Sequence, residues 1–210
     1  MIERAKQYIE EIFAADSSGH DAFHTLRVLH LAERIAKMEG ADVQVVQLAA
    51  LLHDVDDRKL SPETCHNQGR ARAFLQNEGM DAAKIDEICR IIAEISFKGT
   101  DTVAPATLEG KCVQDADRLD AIGAIGIGRA FAFGGSRGRK MYDPAEPPIT
   151  NMDAATYHNN KGHTINHFYE KLLLLKDMMN TDAAREIAAQ RHKYMEEFLD
   201  EFYAEWQGER

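Results

Sequence analysis

An all-α fold is what the sequence predicts, and three observations carry the prediction. Apolar residues recur at helical spacing through most of the chain. Capping residues stand at the ends of those runs: Asp42, Ser61 followed by Pro62, Asp81 and Thr181 ahead of them, Gly40 and Gly79 behind. Alternating segments long enough to make a useful strand are absent.

In chain order the helices fall at about 2–15, 21–39, 42–54, 62–78, 82–97, 107–133 with a break near Gly123, 161–180 and 182–206. Asp42 opens the run Val43-Val45-Val46-Leu48-Ala49-Ala50-Leu51-Leu52, the most apolar in the chain, and Gly40 closes the helix before it. The pair Ser61-Pro62, an N-cap with proline at the first helical position, opens 62–78, and Gly79 ends it. Asp81 and Thr181 start the helices at 82 and 182. The stretch 134–160 differs: it holds Gly134, Gly135, Pro144, Pro147, Pro148, Asn151, Asn159 and Asn160, and reads as a long loop. Loops beyond about 12–15 residues tend to be functional lids or inserts, and the basic start of this one favours a lid or substrate-facing loop over a linker.

At 210 residues, 44% of them hydrophobic, the chain can bury a substantial core, and no Pro/Gly/Ser-rich linker splits it, so a single domain spanning 1–210 is expected. Its N-terminal residues lack the cationic-then-apolar order of a signal peptide, and no run reaches the roughly 18 apolar residues of a membrane span; the expectation is a soluble cytoplasmic protein without a membrane partner. Cys65, Cys89 and Cys112 are odd in number and lack a C-x-x-C pattern, which argues for reduced, packed thiols. With 35 acidic against 25 basic residues the formal charge is −10, which opposes binding to polymeric nucleic acid. A small polyanion needs only local cations, and Gly134-Gly135-Ser136-Arg137-Gly138-Arg139-Lys140 supplies a basic, glycine-rich patch.

The chemistry concentrates at His53-Asp54, an imidazole and a carboxylate at the end of that apolar run. Burying an unsatisfied polar group costs roughly 2–7 kcal/mol, and a charge costs more, so such a pair needs a partner. A metal ion would satisfy both residues at once. His24 upstream and Asp117 downstream give the order H…HD…D. Two imidazoles and two carboxylates suit a borderline or hard divalent ion: one ion is expected, Mn²⁺ first, with Mg²⁺, Fe²⁺, Co²⁺ or Zn²⁺ as alternatives. Such an ion leaves positions for water and a phosphate oxygen, and can lower the pKa of bound water from about 15.7 toward 7. Asp115 and Asp120 compete with Asp117; on a helix Asp115 lies about 200° away from Asp117, whereas Asp120 is close in angle.

Over 20–133 this pattern resembles the HD-domain family of metal-dependent phosphohydrolases. Gly19-His20-Asp21 through His24 and Arg27-Val28, then His53-Asp54-Val55-Asp56-Asp57, Ile95-Ser96-Phe97-Lys98-Gly99, Gln114 through Gly123, and Ile165 through Leu172 are similar to a stand-alone bacterial subgroup that includes nucleotide pyrophosphohydrolases. The resemblance implies a compact HD-domain helical bundle with C-terminal helices at about 161–206 packed on its core. It implies His24, His53, Asp54 and Asp117 as metal ligands, and it picks Asp117 from the three aspartates through Ala-Asp-Arg-Leu. A nucleotide or related phosphorylated metabolite is the implied substrate, with a nucleoside monophosphate and pyrophosphate as products. Phosphomonoesterase or cyclic-nucleotide phosphodiesterase activity and a non-catalytic nucleotide sensor are the alternatives. Members with more metals use extra histidines before the last Asp; here only His66 lies between, so one metal is expected and the diiron oxygenase branch is disfavoured.

For general acid or base, Asp57 ranks first, Asp56 next and Glu94 third, with Asp54 beside them in the reacting cluster. For phosphate charge the candidates are Arg27, Lys98, Arg137, Arg139 and Lys171. His20, at a presumed helix start, reads equally as a phosphate contact or a cap. His163 and His167 share the i, i+4 spacing of His20 and His24 but lack the Glu of a zinc-protease motif, and His167 reads as a packed helix residue more readily than as a pocket residue. Arg118 reads as a structural partner of Asp115 or Glu94. The sequence leaves the oligomeric state and the identity of the base open.

Overall fold

The computed structural model describes residues 1–14, 22–57, 61 and 63–210, and among these there are helices and no strand. The chain divides into two compact units: Met1–Phe97 with Thr102–Asp117, and Lys98–Asp101 with Arg118–Arg210.

In the first unit α3 (Val43–Leu52) is the centre. A helix apolar on all sides has to be enclosed, and α1 (Ile2–Phe13), α2 (Ala22–Glu39) and α5 (Ala82–Ile95) pack on it. Val45, Val46, Leu48, Ala49, Ala50, Leu51 and Leu52 are all buried. Asp42 caps this helix, its Oδ1 accepting from the amides of Gln44 and Val45 at 3.0 and 3.2 Å. Asp81 caps α5 in the same way through the Lys84 amide. The buried face of α5 is a row of isoleucines, Ile85, Ile88, Ile91, Ile92 and Ile95. α6 (Leu108–Asp120) crosses from the first unit into the second. In the first unit the buried amide of Gln114 locks it, donating to the carbonyls of Glu94 at 2.8 Å and Val103 at 3.0 Å.

One helix begins later than the sequence predicts. α4 spans Gly69–Asn77, and residues 63–68 form turns, His66 exposed among them. Ser61 satisfies the local rule for a cap, yet its hydroxyl donates to the Val55 carbonyl at 3.0 Å instead. The cap comes from afar: the buried carboxylate of Asp56 accepts from the amides of Arg70 and Ala71, both at 3.0 Å.

In the second unit α7 (Gly123–Ser136) and α9 (Thr164–Glu170) pack with α10 (Asp182–Gln207) and a 3₁₀ segment over Leu172–Met178. The break expected near Gly123 is present, with this glycine at φ +77° and Ile122 as the cap. The buried ring of Phe168 meets the half-buried rings of Phe131 and Phe198, Phe168 and Phe198 stacked at 5.8 Å. The helix expected at 161–180 is split. His163 lies outside α9 and caps it, Nδ1 accepting from the Asn166 amide at 3.1 Å, so Nε2 carries the proton and donates to the Glu146 carbonyl. Lys171, at φ −144° and ψ −60°, ends the helix.

The long loop contains α8 (Ala154–Asn159) and is hydrogen-bonded to α9. Glu170 accepts from the Ile149 amide at 3.1 Å and from Asn160 Nδ2 at 2.7 Å, and the amides of Thr164 and Ile165 donate to the carbonyls of Lys140 and Met141. No helix is long and apolar enough to cross a membrane among the described residues.

Candidate metal centre

Three helices and one turn of the first unit bring the H…HD…D residues together. His24 stands in the first turns of α2, His53 is the C-cap of α3, Asp54 follows it, and Asp117 lies near the end of α6. Among the described residues, His24, His53 and Asp117 offer ligand atoms that all lie within 4.8 Å of one another. Asp54 Oδ2 approaches His24 Nε2 at 3.5 Å and His53 Nε2 at 3.3 Å, and Asp117 Oδ1 approaches the same nitrogens at 3.5 and 3.9 Å. The two imidazoles meet edge to face with centroids 5.3 Å apart. Both are buried, while Asp54 and Asp117 keep an opening to solvent, with side-chain exposures of 14% and 28%.

His53 defines the chemistry. Its Nδ1 sits 2.8 Å from the Ala50 carbonyl, and because a carbonyl only accepts, Nδ1 carries the proton and Nε2 the lone pair. That Nε2 is buried and has no hydrogen-bond partner. Asp54, at 3.3 Å, is close enough to act on its charge but is not aligned for a hydrogen bond. A buried lone pair facing carboxylates is tolerable in only two ways, by taking up a proton or by meeting a cation. Without a cation, burial lowers the basicity of His53, but Asp54 and then Asp117 outweigh it and hold the imidazolium up to about 9. With one, two neutral imidazoles and two carboxylates balance a divalent charge and present the mixed N/O donors that borderline ions take. The residues present fit a metal ion.

The rival aspartates are accounted for. Asp115 is fully buried. Asp120 pairs with Arg129 at 2.6 Å in the second unit. Asp56 is consumed as the cap of α4, which removes it from the acid/base candidates, while Glu94 spends one oxygen on the Ala106 amide at 3.2 Å. Asp57 is half-buried in the turn after Asp54. Arg118 is buried and donates to the Met178 carbonyl.

Of the phosphate candidates, Arg27 is half-buried on α2 three residues past His24. His20 lies outside the described residues. Lys98, Arg137, Arg139 and Lys171 all belong to the second unit. Lys98 is exposed at the head of a 3₁₀ turn over Gly99–Asp101, which is clamped to α8: Thr100 N donates to Met152 O and Ala154 N to Asp101 Oδ2, each at 3.0 Å. Arg137 and Arg139 place their guanidinium carbons 5.5 and 5.4 Å from the centroid of Phe133. Sequence reasoning passes over one contributor, Ala50. The signal for Ala50 is positional, since a histidine that caps a helix can reach the carbonyl three residues back.

Comparison with known proteins shows the family. The HD domain model matches residues 22–122. YpgQ of Bacillus subtilis (strain 168) is 40% identical over 199 residues, 94% of this chain and 89% of YpgQ. Its crystal structure in complex with ADP superposes with a TM-score of 0.78 at 36% identity, covering 98% of this chain and 97% of that one. A Lactobacillus plantarum protein reaches a TM-score of 0.88 at 43% identity over 99% of this chain and 97% of its own. An HD-superfamily hydrolase from Bacillus thuringiensis gives 0.77 at 41% identity, with 98% and 96% covered. On these grounds the chain belongs to the HD-domain family and is an HD-superfamily hydrolase, related to stand-alone bacterial proteins such as YpgQ.

Proposed function

We propose that this protein is a nucleotide pyrophosphohydrolase dependent on one divalent metal ion, Mn²⁺ before other ions, that cleaves a nucleoside triphosphate or related nucleotide to the monophosphate and pyrophosphate. The observation that carries the reading is the buried Nε2 of His53, whose other nitrogen is committed to Ala50 and whose neighbours are His24, Asp54 and Asp117. The complex of YpgQ with ADP supports a nucleotide ligand with more than one phosphate.

His24, His53, Asp54 and Asp117 would hold the ion. When bound, it supplies Lewis acidity toward a phosphate oxygen and lowers the pKa of water toward neutrality. The chain's own residues do the rest. Ala50 fixes the ring of His53, so the lone pair needs no reorientation. Asp54, besides its place in the cluster, orients the attacking water, and Asp57 takes up its proton, a contribution of about 10²–10⁴-fold. Arg27 neutralises charge on the reacting phosphate, and the further phosphate-binding cations read from the sequence are Lys98, Arg137, Arg139 and Lys171.

The test is a panel of nucleoside tri-, di- and monophosphates with Mn²⁺, scored separately for pyrophosphate and orthophosphate. Pyrophosphate release from triphosphates is expected. Preference for monophosphates would replace this reading with a phosphomonoesterase. Release of orthophosphate alone from triphosphates would move the attack to the terminal phosphorus.

A further inference from the structure

Asp117 takes its place from its helix rather than from a hydrogen bond of its own. Ala50 fixes the ring of His53, whereas among the described residues no hydrogen bond reaches the Asp117 carboxylate. Its Oδ1 only approaches the Nε2 atoms of His24 and His53, at 3.5 and 3.9 Å, and both of those nitrogens lack a hydrogen-bond partner. Within Cys112 to Asp120 it is also the one residue that is not buried. The position of this carboxylate is therefore set by the backbone of α6, and by whatever fixes that helix one turn earlier.

Gln114 stands three residues before Asp117, about 4.5 Å along the helix and within about 60° of the same face. It is fully buried, and a buried amide is tolerated only when its N–H groups are bonded. Its Nε2 donates twice, to the carbonyl of Glu94 at 2.8 Å and to that of Val103 at 3.0 Å. The Glu94 carbonyl is among the last four of α5, which find no amide within their own helix. α5 in turn packs on α3, the helix that His53 ends. A second tie lies two turns upstream of Asp117, where Glu109 Oε1 accepts from the amide of Asp42, the N-cap of α3, at 3.1 Å. The start of α6 is close-packed as well, since a Cβ on Gly110 would come within 2.8 Å of Pro105 Cβ. α6 is thus fastened to α3 directly at its first turn and through α5 at Gln114, all within the first unit, which sets the carboxylate of Asp117 and the imidazole of His53 in one frame.

We propose that Gln114 is a positioning residue for the metal centre: its two donated bonds hold the turn of α6 that presents Asp117 to His24 and His53. This rests on the reading of His24, His53, Asp54 and Asp117 as the ligands of one ion, and it adds a residue that acts through Asp117 without touching the ion. An amide is required at this position because both partners are carbonyls, which only accept; an ionised glutamate or a methionine of similar length offers no donor. Partners that orient the ligands of an ion typically govern its affinity by about 10–100-fold.

The experiment uses the full-length protein stripped of metal with a chelator, with Mn²⁺ titrated by calorimetry and Co²⁺ as a spectroscopic probe. Gln114→Met, shown to be folded by circular dichroism, should bind Mn²⁺ at least about tenfold more weakly than wild type. The visible absorption of its Co²⁺ form should also depart from the wild-type spectrum as the carboxylate moves. Gln114→Asn keeps an amide but is a methylene too short for the two bonds as they stand, so its affinity should fall between the two; it carries the test if the methionine variant does not fold. Asp56→Ala, which removes the distant cap of α4, should keep the wild-type affinity and the wild-type Co²⁺ spectrum, separating ion binding from stability. Folded Gln114 variants that bind Mn²⁺ as tightly as wild type, or an equal loss in Asp56→Ala, would overturn the role of Gln114. Wild-type protein that takes up no ion would overturn the metal reading and this role with it. The expected pattern of ion binding without nucleotide hydrolysis would overturn the hydrolase reading alone and leave Gln114 in its role.

Discussion

His53 Nδ1 donates to the carbonyl of Ala50 at 2.8 Å, so one turn of α3 both ends the helix and aims the opposite ring nitrogen at the acidic cluster. A helix C-terminus is rich in carbonyls that lack amide partners, and here one of them sets the tautomer of the key imidazole. Removing that imidazole should therefore remove the ion. His53→Ala and Asp54→Ala are expected to lose the metal and at least a hundredfold in activity, because the remaining donors no longer close the geometry. Wild-type protein should carry close to one ion per chain, and His66→Ala, altering an exposed residue in a turn, should change nothing. Elemental analysis after gel filtration checks all of these. Stoichiometric metal in both ligand variants would refute the assignment, and two tight ions per wild-type chain would refute the single-ion expectation.

Asp56 illustrates how adjacent acids in Asp54-Val55-Asp56-Asp57 divide their work. Asp56→Ala leaves the Arg70 and Ala71 amides without their acceptor at the start of α4. A buried donor left unsatisfied costs about 1–3 kcal/mol, and one of these amides is only partly buried, so a loss of about 2–4 kcal/mol is expected in urea denaturation. Metal content should be unchanged below the unfolding transition. Asp57→Asn should do the opposite, keeping stability and lowering kcat. If Asp56→Ala were as stable as wild type, the distant cap would have no energetic weight.

A third expectation concerns the turn that carries Lys98. Gly99 has φ +60°, and a Cβ there would come within 2.2 Å of the Met152 carbonyl oxygen. Gly99→Ala must adopt a left-handed conformation costing about 1–2 kcal/mol and also push the turn off α8. Lys98→Ala is expected to reduce kcat/KM for a nucleoside triphosphate at least tenfold, about 1.4 kcal/mol of transition-state stabilisation, with metal content unchanged. Gly99→Ala should reproduce part of that loss with the lysine still present. Steady-state kinetics on a triphosphate and its monophosphate decide the matter, because equal losses on both substrates would mean the turn does not act on the distal phosphates.

The pair His53-Asp54 was legible in the sequence because its cost was local: a histidine and an aspartate at the end of the most apolar helix need a partner wherever that helix goes, whereas His24 and Asp117 were joined to it through the family resemblance. The all-helical class and the break at Gly123 were legible for a similar reason, since periodicity and caps are properties of neighbouring residues. What the sequence hid is non-local. Ser61-Pro62 obeys the rule for a helix start, but the amides that begin α4 are satisfied by Asp56, 14 and 15 residues upstream of them. The stretch 161–180 has helical composition throughout, yet His163 is drawn out as a cap and Lys171 breaks the helix. His167 looked like a packed residue because its environment is made by Arg139 and Tyr157, which no helical spacing connects to it.

That environment has a consequence for acid stability. His167 has its pKa lowered from 6.5 to about 3 in the folded protein by burial, then by Lys171 and Arg139. Below about 6.5 the unfolded chain takes up the proton while the native chain does not, so protons favour unfolding. The native state is therefore at its full advantage above pH 6.5 and loses it progressively as the pH falls toward about 3, where folded His167 also protonates. His167→Gln has no proton to gain at this position, and its stability should decline less steeply over the same window. The measurement is urea denaturation of wild type and variant at pH 7.5, 5.5 and 4.5. The difference in stability between them should shift in favour of the variant as the pH falls, and should stop changing above about pH 7. Parallel curves across the three pH values would mean that burial, Lys171 and Arg139 do not hold His167 neutral.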